Sequence, residues 1–338
     1  MGVLQPTSYT AKNSLGDDSV KSMFQNKWSV IGIAVFCSIL WGSAFPVLKV
    51  SYEELQMAPD DTIAKIVFAG ARFLLAGIIV LAFLLFMNAK SILVTRKQFM
   101  VLIILGVVQT ALQYFFFYNG LAKVTGMQGS ILNASGTFFA VILAHYYYKN
   151  DKLSWQKVVG LIAGFGGIIV ANWGQEFTLT FQFTGEGFMI LSGLTSAIAT
   201  IMAKELATGI HPFAITGWQL TLGAIILLLI GVPQLSEGSM VFTPLGWGLF
   251  IYSAFLSSIA FALWYSLLKF NNAGEISMYK FIVPVSGSVL SAMFIPDERL
   301  TISIFAGMAL VAIGIVIINY RGKQTSKNEA KQLAIKSK

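Results

Sequence analysis

Apolar positions in this chain fall in ten long blocks separated by short polar breaks, at approximately 29–49, 63–87, 99–121, 127–148, 156–173, 186–204, 214–232, 245–268, 275–295 and 302–320. Blocks of about 20 residues cross a hydrocarbon core of roughly 30 Å as α-helices. Barrel strands would be shorter and would alternate apolar and polar positions. These blocks do not alternate, and a helix satisfies its own backbone hydrogen bonds inside lipid. The pattern therefore predicts an all-α membrane protein of ten transmembrane helices. Trp28, Trp155, Trp173 and Trp247 fall at the ends of blocks, where interfacial aromatic belts lie.

Composition agrees with that reading. The 338 residues are 56% hydrophobic and 11% charged, against roughly a quarter charged in soluble domains. Mean hydropathy is +0.73. The net charge of +8 does not point to nucleic acid as a partner, because the basic residues occupy short loops and the tail after Tyr320. With the N-terminus in the cytoplasm, 17 of the 23 basic residues fall on the cytoplasmic side, as the positive-inside rule requires. They include Lys90, Arg96 and Lys97 in one loop and Lys149, Lys152 and Lys157 in the next. The first outer loop is acidic, with Glu53, Glu54, Asp60 and Asp61. The expected topology is N-in and C-in, multi-pass, in the inner or plasma membrane. The segment from Trp28 to Val50 is too long for a signal h-region and reads as an uncleaved first span. Cys37 is the one cysteine, so neither an intramolecular disulfide nor a cysteine metal cluster forms.

A shift of 147 residues superimposes parts of the two halves. Arg72 falls on Gln219, Tyr118 on Tyr265, and Asp151-Lys152-Leu153-Ser154 on Glu298-Arg299-Leu300-Thr301. Gly160, Gly167 and Asn172 fall on Gly307, Gly314 and Asn319. The expected organisation is a cytoplasmic tail (1–28), a first five-helix repeat (29–173), a second repeat (174–320) and a basic cytoplasmic tail (321–338). Five spans per repeat is an odd number, so the second repeat enters the membrane from the opposite side. Inverted repeats of this kind are a signature of secondary transporters.

Several of these residues carry a resemblance to a known family. They are Trp41–Phe45 (WGSAF) in the first span, Arg72 in the second, and two copies of a helix, short acidic loop and glycine-bearing helix. The fuller copy runs Tyr279-Lys280-Phe281-Ile282-Val283-Pro284, then Asp297-Glu298-Arg299-Leu300, then Gly307 and Gly314. Over roughly residues 30–320 the chain resembles the drug/metabolite transporter superfamily, EamA type. The first copy departs from the family pattern, with Thr137 where members usually carry proline and Asp151 where glutamate is usual. The resemblance implies export or exchange of small metabolites, often amino acids, and names no substrate.

The residues themselves nominate a site. Arg72 lies near the middle of the second span, where a charge costs about 2.5–3.5 kcal/mol on insertion scales. No Asp or Glu is expected inside any span to neutralise it. Either it meets an anion in a cavity, or it holds backbone carbonyls of a neighbouring helix. Lys280 lies five residues inside the ninth span. It can snorkel to the surface, yet Ser277, Lys280, Pro284, Gly287 and Ser291 share one helical face, which does not suit lipid. The fourth span shows a matching stripe of Ser130, Asn133 and Thr137. Gln109 and Gln113 stand one turn apart in the third span; Ser257, Phe261, Trp264 and Tyr265 mark the eighth. Two helices from each half thus offer polar and aromatic faces to a midplane cavity, although small polar residues also bond helices together in bundles. The expected substrate-binding set is Arg72, Gln109, Gln113, Ser130, Asn133, Phe261, Trp264, Tyr265, Ser277 and Lys280, with Trp41, Phe45 and Pro284 as gating residues. Gly160 and Gly164 form a small-xxx-small pair, a packing feature with a homodimer among its uses.

Enzyme chemistry finds no support. Ser135 and His145 are ten residues apart on one helix, about 15 Å along its axis, and cannot pair. No span carries a metal-binding cluster, and no cofactor is expected. A receptor or scaffold role would call for a sizeable soluble domain, and the longest tail here is under 30 residues. The expected partners are a small-molecule substrate and the lipid bilayer. The expected activity is secondary transport of small metabolites, amino acids or related carboxylates, by alternating access as an exporter or exchanger.

Overall fold

The computed structural model describes residues 21–58, 60–124, 129, 132–171, 173, 181–295 and 300–318. Among these residues there is no strand, and seven helices are long and apolar enough to cross a membrane. In chain order the helices begin with α1 (Lys27–Glu54) and α2 (Thr62–Asn88), which a 3-10 turn extends to Ile92. Then come α3 (Arg96–Leu121), α4 (Ser135–Tyr147) and α5 (Trp155–Ala171). The second half contains α6 (Phe188–Leu206, led by a π turn Phe183–Gly187), α7 (Pro212–Gly231), α8 (Pro244–Phe270), α9 (Ala273–Phe294) and α10 (Ile302–Ile318). Of these, α4, α5 and α10 are shorter apolar helices. Ser130, Asn172, Glu298, Arg299 and Asn319 of the expected stripes and repeat lie outside the described residues.

Helix starts follow local chemistry. Side chains of Asn26, Asp61, Thr95 and Thr243 accept first-turn N–H groups of α1, α2, α3 and α8, satisfying donors that have no partner within the helix. Thr95 and Gln98 complete a capping box, and Pro212 and Pro244 open α7 and α8 at positions where no N–H is needed. Trp28, Trp155, Trp173 and Trp247 are all exposed, as residues facing a membrane interface should be.

Glycines set the helix crossings. The most extensive contact is between α2 and α7. A Cβ on Gly77 would lie 2.9 Å from the Gly217 carbonyl oxygen; Gly70 faces Leu228 and Gly217 faces Leu81. In α5 and α10, a Cβ on Gly167 would lie 2.8 Å from the Gly307 oxygen, and one on Gly314 would lie 3.1 Å from the Gly160 oxygen. Two pairs of these contacts exchange under the 147-residue shift, Gly70–Leu228 with Gly217–Leu81 and Gly167–Gly307 with Gly314–Gly160, since 70 maps to 217, 81 to 228, 160 to 307 and 167 to 314. The pairs α1 with α9 and α4 with α6 likewise meet at glycines, Gly42 against Gly287 and Gly136 against Gly193. The Gly160–Gly164 stripe is filled from within the chain by Ile318, Met278 and Phe281, so the close packing it allows is intramolecular.

A proline shapes α9. Pro284 has no N–H to give the Lys280 carbonyl, and the turn before it, Met278–Phe281, tightens to 3-10 geometry. The Ser38 hydroxyl of α1 reaches the Tyr279 carbonyl there at 3.0 Å. In the first half Thr137 replaces proline, yet the chain still tightens, with the Thr137 N–H donating to the Ala134 carbonyl at 3.0 Å. The loop after α4 is anchored at the start of α9. Buried Asp151 pairs with buried Lys157 and accepts the Gly274 N–H at 2.7 Å. Nearby, the Lys204 ammonium caps α8 by donating to the carbonyls of Leu268 and Asn271.

One expectation is corrected here. Glu186 falls within an apolar span rather than outside all of them. It is buried in the π turn that opens α6, where its carboxylate accepts the Gln182 N–H at 2.8 Å. Burial of this acid is local to a helix end, and it neutralises neither Arg72 nor Lys280.

Candidate functional site

Three polar clusters lie inside the bundle. The first centres on Lys280. Its ammonium sits 5.4 Å from the ring centroid of Trp264 on α8 and 5.9 Å from that of Trp41 on α1, within range of cation–π attraction. Among the described residues no carboxylate or hydrogen-bond acceptor reaches it. The aromatic wall continues, with Trp41 and Trp264 centroids 5.0 Å apart, Trp41 and Phe261 5.3 Å apart, and Phe261 and Tyr265 5.9 Å apart. Buried Trp264 Nε1, the Tyr265 hydroxyl and the Ser277 hydroxyl have no hydrogen-bond partner. Native interiors leave few such groups, so three of them around a lone ammonium mark a place built to receive polar atoms.

The second cluster centres on Arg72. Its residue is only 3% exposed. One guanidinium nitrogen donates to the Tyr118 hydroxyl at 3.5 Å, and Nε has no partner. The Phe73 ring lies 4.4 Å from Cζ, while Tyr52, Tyr114 and Tyr118 lie within electrostatic range. Tyr114 packs on Phe73 at 4.6 Å.

The third cluster joins α3 to α7. Gln109 donates to Gln113, and Thr110 donates to Gln219 Oε1 at 2.8 Å, leaving Gln219 Nε2 buried without a partner. These residues sit on or beside a π turn, Val107–Leu112. Such bulges occur mostly at functional positions, and this one stands where Gly106 closes on the α7 backbone at Gly223.

The structure thus brings together Trp41, Phe261, Trp264, Tyr265 and Lys280, with Ser277 one turn before the lysine. Arg72 makes no direct contact with Lys280 among the described residues, while Tyr265 lies within electrostatic range of Tyr114, which borders Arg72. Phe45 packs on Gly287 at the α1–α9 crossing, where a Cβ on the glycine would lie 2.8 Å from the ring; Pro284 acts by breaking the helix. Asn133 is half-buried and makes no side-chain hydrogen bond among the described residues. Sequence reasoning did not nominate Tyr52, Tyr114, Thr110 or Gln219 as site residues. The repeat itself carried a signal for the last, since Gln219 occupies the position equivalent to Arg72.

Chemically, the arrangement offers a buried guanidinium at Arg72, a half-buried ammonium at Lys280, aromatic faces and free donors. Among the described residues there is no His/Cys/Asp/Glu group able to hold a metal. Comparisons with known proteins agree in kind. The uncharacterized transporter YvbV of Bacillus subtilis is 24% identical over 86% of this chain and 92% of its own length. An uncharacterized transporter of Archaeoglobus fulgidus is 27% identical over 86% of this chain and 98% of its own. A chloroplastic WAT1-related protein of Arabidopsis thaliana is 22% identical over 87% of this chain and 69% of its own. A solved crystal structure matches with a TM-score of 0.71 over 86% of this chain and 97% of that one, at 14% identity, a likeness of fold alone. The EamA-like transporter family matches residues 28–173 and again 183–320, so the chain is a membrane transporter belonging to the EamA-like transporter family.

Proposed function

We propose that the protein is a secondary transporter of amino acids or related carboxylate metabolites, working by alternating access as an exporter or exchanger in the inner or plasma membrane. All ten helices span, with both termini cytoplasmic, and the halves 29–173 and 174–320 are inverted repeats. The exchange of glycine contacts under one 147-residue shift supports the repeat, because two packings related by a pseudo-two-fold axis have similar energy. The single observation that carries the substrate class is Lys280. Among the described residues it is an ammonium without an anion, held beside two indole rings at a proline-broken turn, and a substrate carboxylate supplies the missing charge. Trp41, Trp264 and Phe261 hold the apolar remainder, and the free Tyr265 and Ser277 hydroxyls meet its polar atoms.

The test uses purified protein in liposomes, screened with labelled amino acids, carboxylates and lipophilic cations. Lys280→Ala and Lys280→Gln should cut uptake of anionic and zwitterionic substrates at least tenfold while the protein still elutes as a folded species. Normal transport by both variants would show that the lysine binds no substrate.

A further inference from the structure

We infer that Arg72, together with the hydroxyls of Tyr118 and Tyr52, forms a second anion site that takes a small monovalent anion, a halide or a carboxylate, independently of Lys280. A structural arginine in a helix bundle saturates its five donors on carbonyls or carboxylates. Arg72 does not. Its one acceptor is the Tyr118 hydroxyl at the limit of hydrogen bonding, 3.5 Å, and Nε faces no acceptor. The one ion pair between described side chains, Asp151 with Lys157, lies elsewhere. Stacking of Phe73 on the guanidinium covers one face and leaves the edge with the free Nε–H.

The surroundings complete an anion cradle. Tyr118 accepts from Arg72 and lies against the Tyr52 hydroxyl, so the pair of hydroxyls keeps at least one O–H to donate. The Tyr52 hydroxyl, buried beside it, makes no hydrogen bond of normal geometry. These donors come from α1, α2 and α3 and converge where the chain supplies no negative charge. An unneutralised guanidinium near a helix centre is costly in lipid, and a bound anion offsets that cost. The enclosing rings of Tyr52, Phe73, Tyr114 and Tyr118 leave the site suited to a small ion, and one guanidinium balances one charge. The inference does not depend on the transport reading: Lys280 lies in a different cluster, on α9 against α1 and α8, and either site can stand without the other.

The experiment follows thermal unfolding of the full chain in detergent. Sodium chloride, bromide or acetate is titrated against sodium methanesulfonate at constant ionic strength. Wild type and Lys280→Gln should be stabilised saturably by chloride or by acetate. Arg72→Gln and Tyr118→Phe should raise the midpoint concentration at least tenfold, and Arg72→Lys should fall between. Chloride and bromide acting alone identify a halide site; acetate acting identifies a carboxylate site. No saturable effect in wild type overturns the inference, as does an effect lost in Lys280→Gln and kept in Arg72→Gln. If Arg72→Gln fails to fold, Tyr118→Phe decides, because an unchanged midpoint there overturns the inference as well. The readout involves no transport, so its failure leaves the carboxylate-transport test untouched.

Discussion

Replacing Gly307 with alanine tests the α5–α10 crossing directly. The added Cβ would lie 2.4 Å from the Gly167 carbonyl oxygen, 2.5 Å from the Ala171 Cβ and 2.8 Å from the Ala171 nitrogen. Carbon contacts are comfortable at about 3.5–4.0 Å, so the two helices must part by about 1 Å. The obstacles are backbone and Cβ atoms of a helix, which cannot rotate away as a long side chain can. Overpacking of this kind costs about 1–3 kcal/mol, and Gly307→Ala should sit at the upper end. Gly314→Ala meets its nearest atoms at 3.1 Å and should cost much less. Gly166→Ala, whose Cβ would meet nothing within 4 Å, is the matched control. It gains about 0.5–1 kcal/mol of helix preference. Thermal unfolding of the three variants in one detergent, read by fluorescence-detected size exclusion, should rank them Gly166→Ala, Gly314→Ala, Gly307→Ala from most to least stable. Equal stability of Gly307→Ala and Gly166→Ala would refute the close crossing and remove one leg of the repeat argument.

Three further outcomes are expected. Reporter fusions after Met87 and Lys149 should read cytoplasmic and those after Pro59 and Glu237 external; finding the Asp151 and Glu298 loops on the same side would end the inverted-repeat proposal. Asp151→Ala should lower stability by about 3–5 kcal/mol, because it strands the buried Lys157 ammonium and removes the acceptor of the Gly274 N–H, whereas Asp151→Asn keeps an acceptor and should lose less; thermal unfolding measures both. Among the described residues no carboxylate stands beside Arg72 or Lys280 to carry a proton, so transport in liposomes should run as facilitated diffusion or exchange, and strict dependence on an imposed proton or sodium gradient would contradict that.

Much of this was legible before any coordinates because lipid leaves so few solutions. Apolar block length and the requirement for internal backbone hydrogen bonding predict helices, and they are found at the predicted places, from Lys27–Glu54 to Ile302–Ile318. The aromatic wall was legible too: Phe261, Trp264 and Tyr265 are near neighbours on one helix. Their meeting with Trp41 was not, since nothing local in either segment encodes the α1–α8 contact. The π turn at Val107–Leu112 was hidden for a similar reason. It lies where α3 packs against Gly223 of α7, a tertiary contact that apolar periodicity does not register. The glycine pair Gly160 and Gly164 was legible as a packing feature, and its partners were not. Small-xxx-small spacing specifies close approach without specifying whether the partner helix belongs to the same chain.

The two halves are alike and unlike in an instructive division. Positions that set helix crossings repeat: Gly70 with Gly217, Leu81 with Leu228, Gly160 with Gly307, Gly167 with Gly314. Polar positions repeat only in part: Tyr118 with Tyr265 and Ser130 with Ser277 do, and the charged ones do not. Arg72 stands against Gln219, Asn133 against Lys280, and Thr137 against Pro284. A scaffold that must adopt two mirrored packings at similar energy needs the same close approaches in both halves, since a misfit in either would bias it to one state. A bound metabolite has no such symmetry; one end carries charge and the other does not. A pair of identical cations at equivalent positions would treat both ends of the substrate alike and would add a second uncompensated charge within each cluster. Placing arginine opposite glutamine and lysine opposite asparagine keeps hydrogen-bond donors at all four positions while putting charge at only one of each pair. On the proposed reading the site would have a direction even though the scaffold around it does not, which is what a protein needs if it is to hold one oriented ligand while the surrounding helices exchange roles.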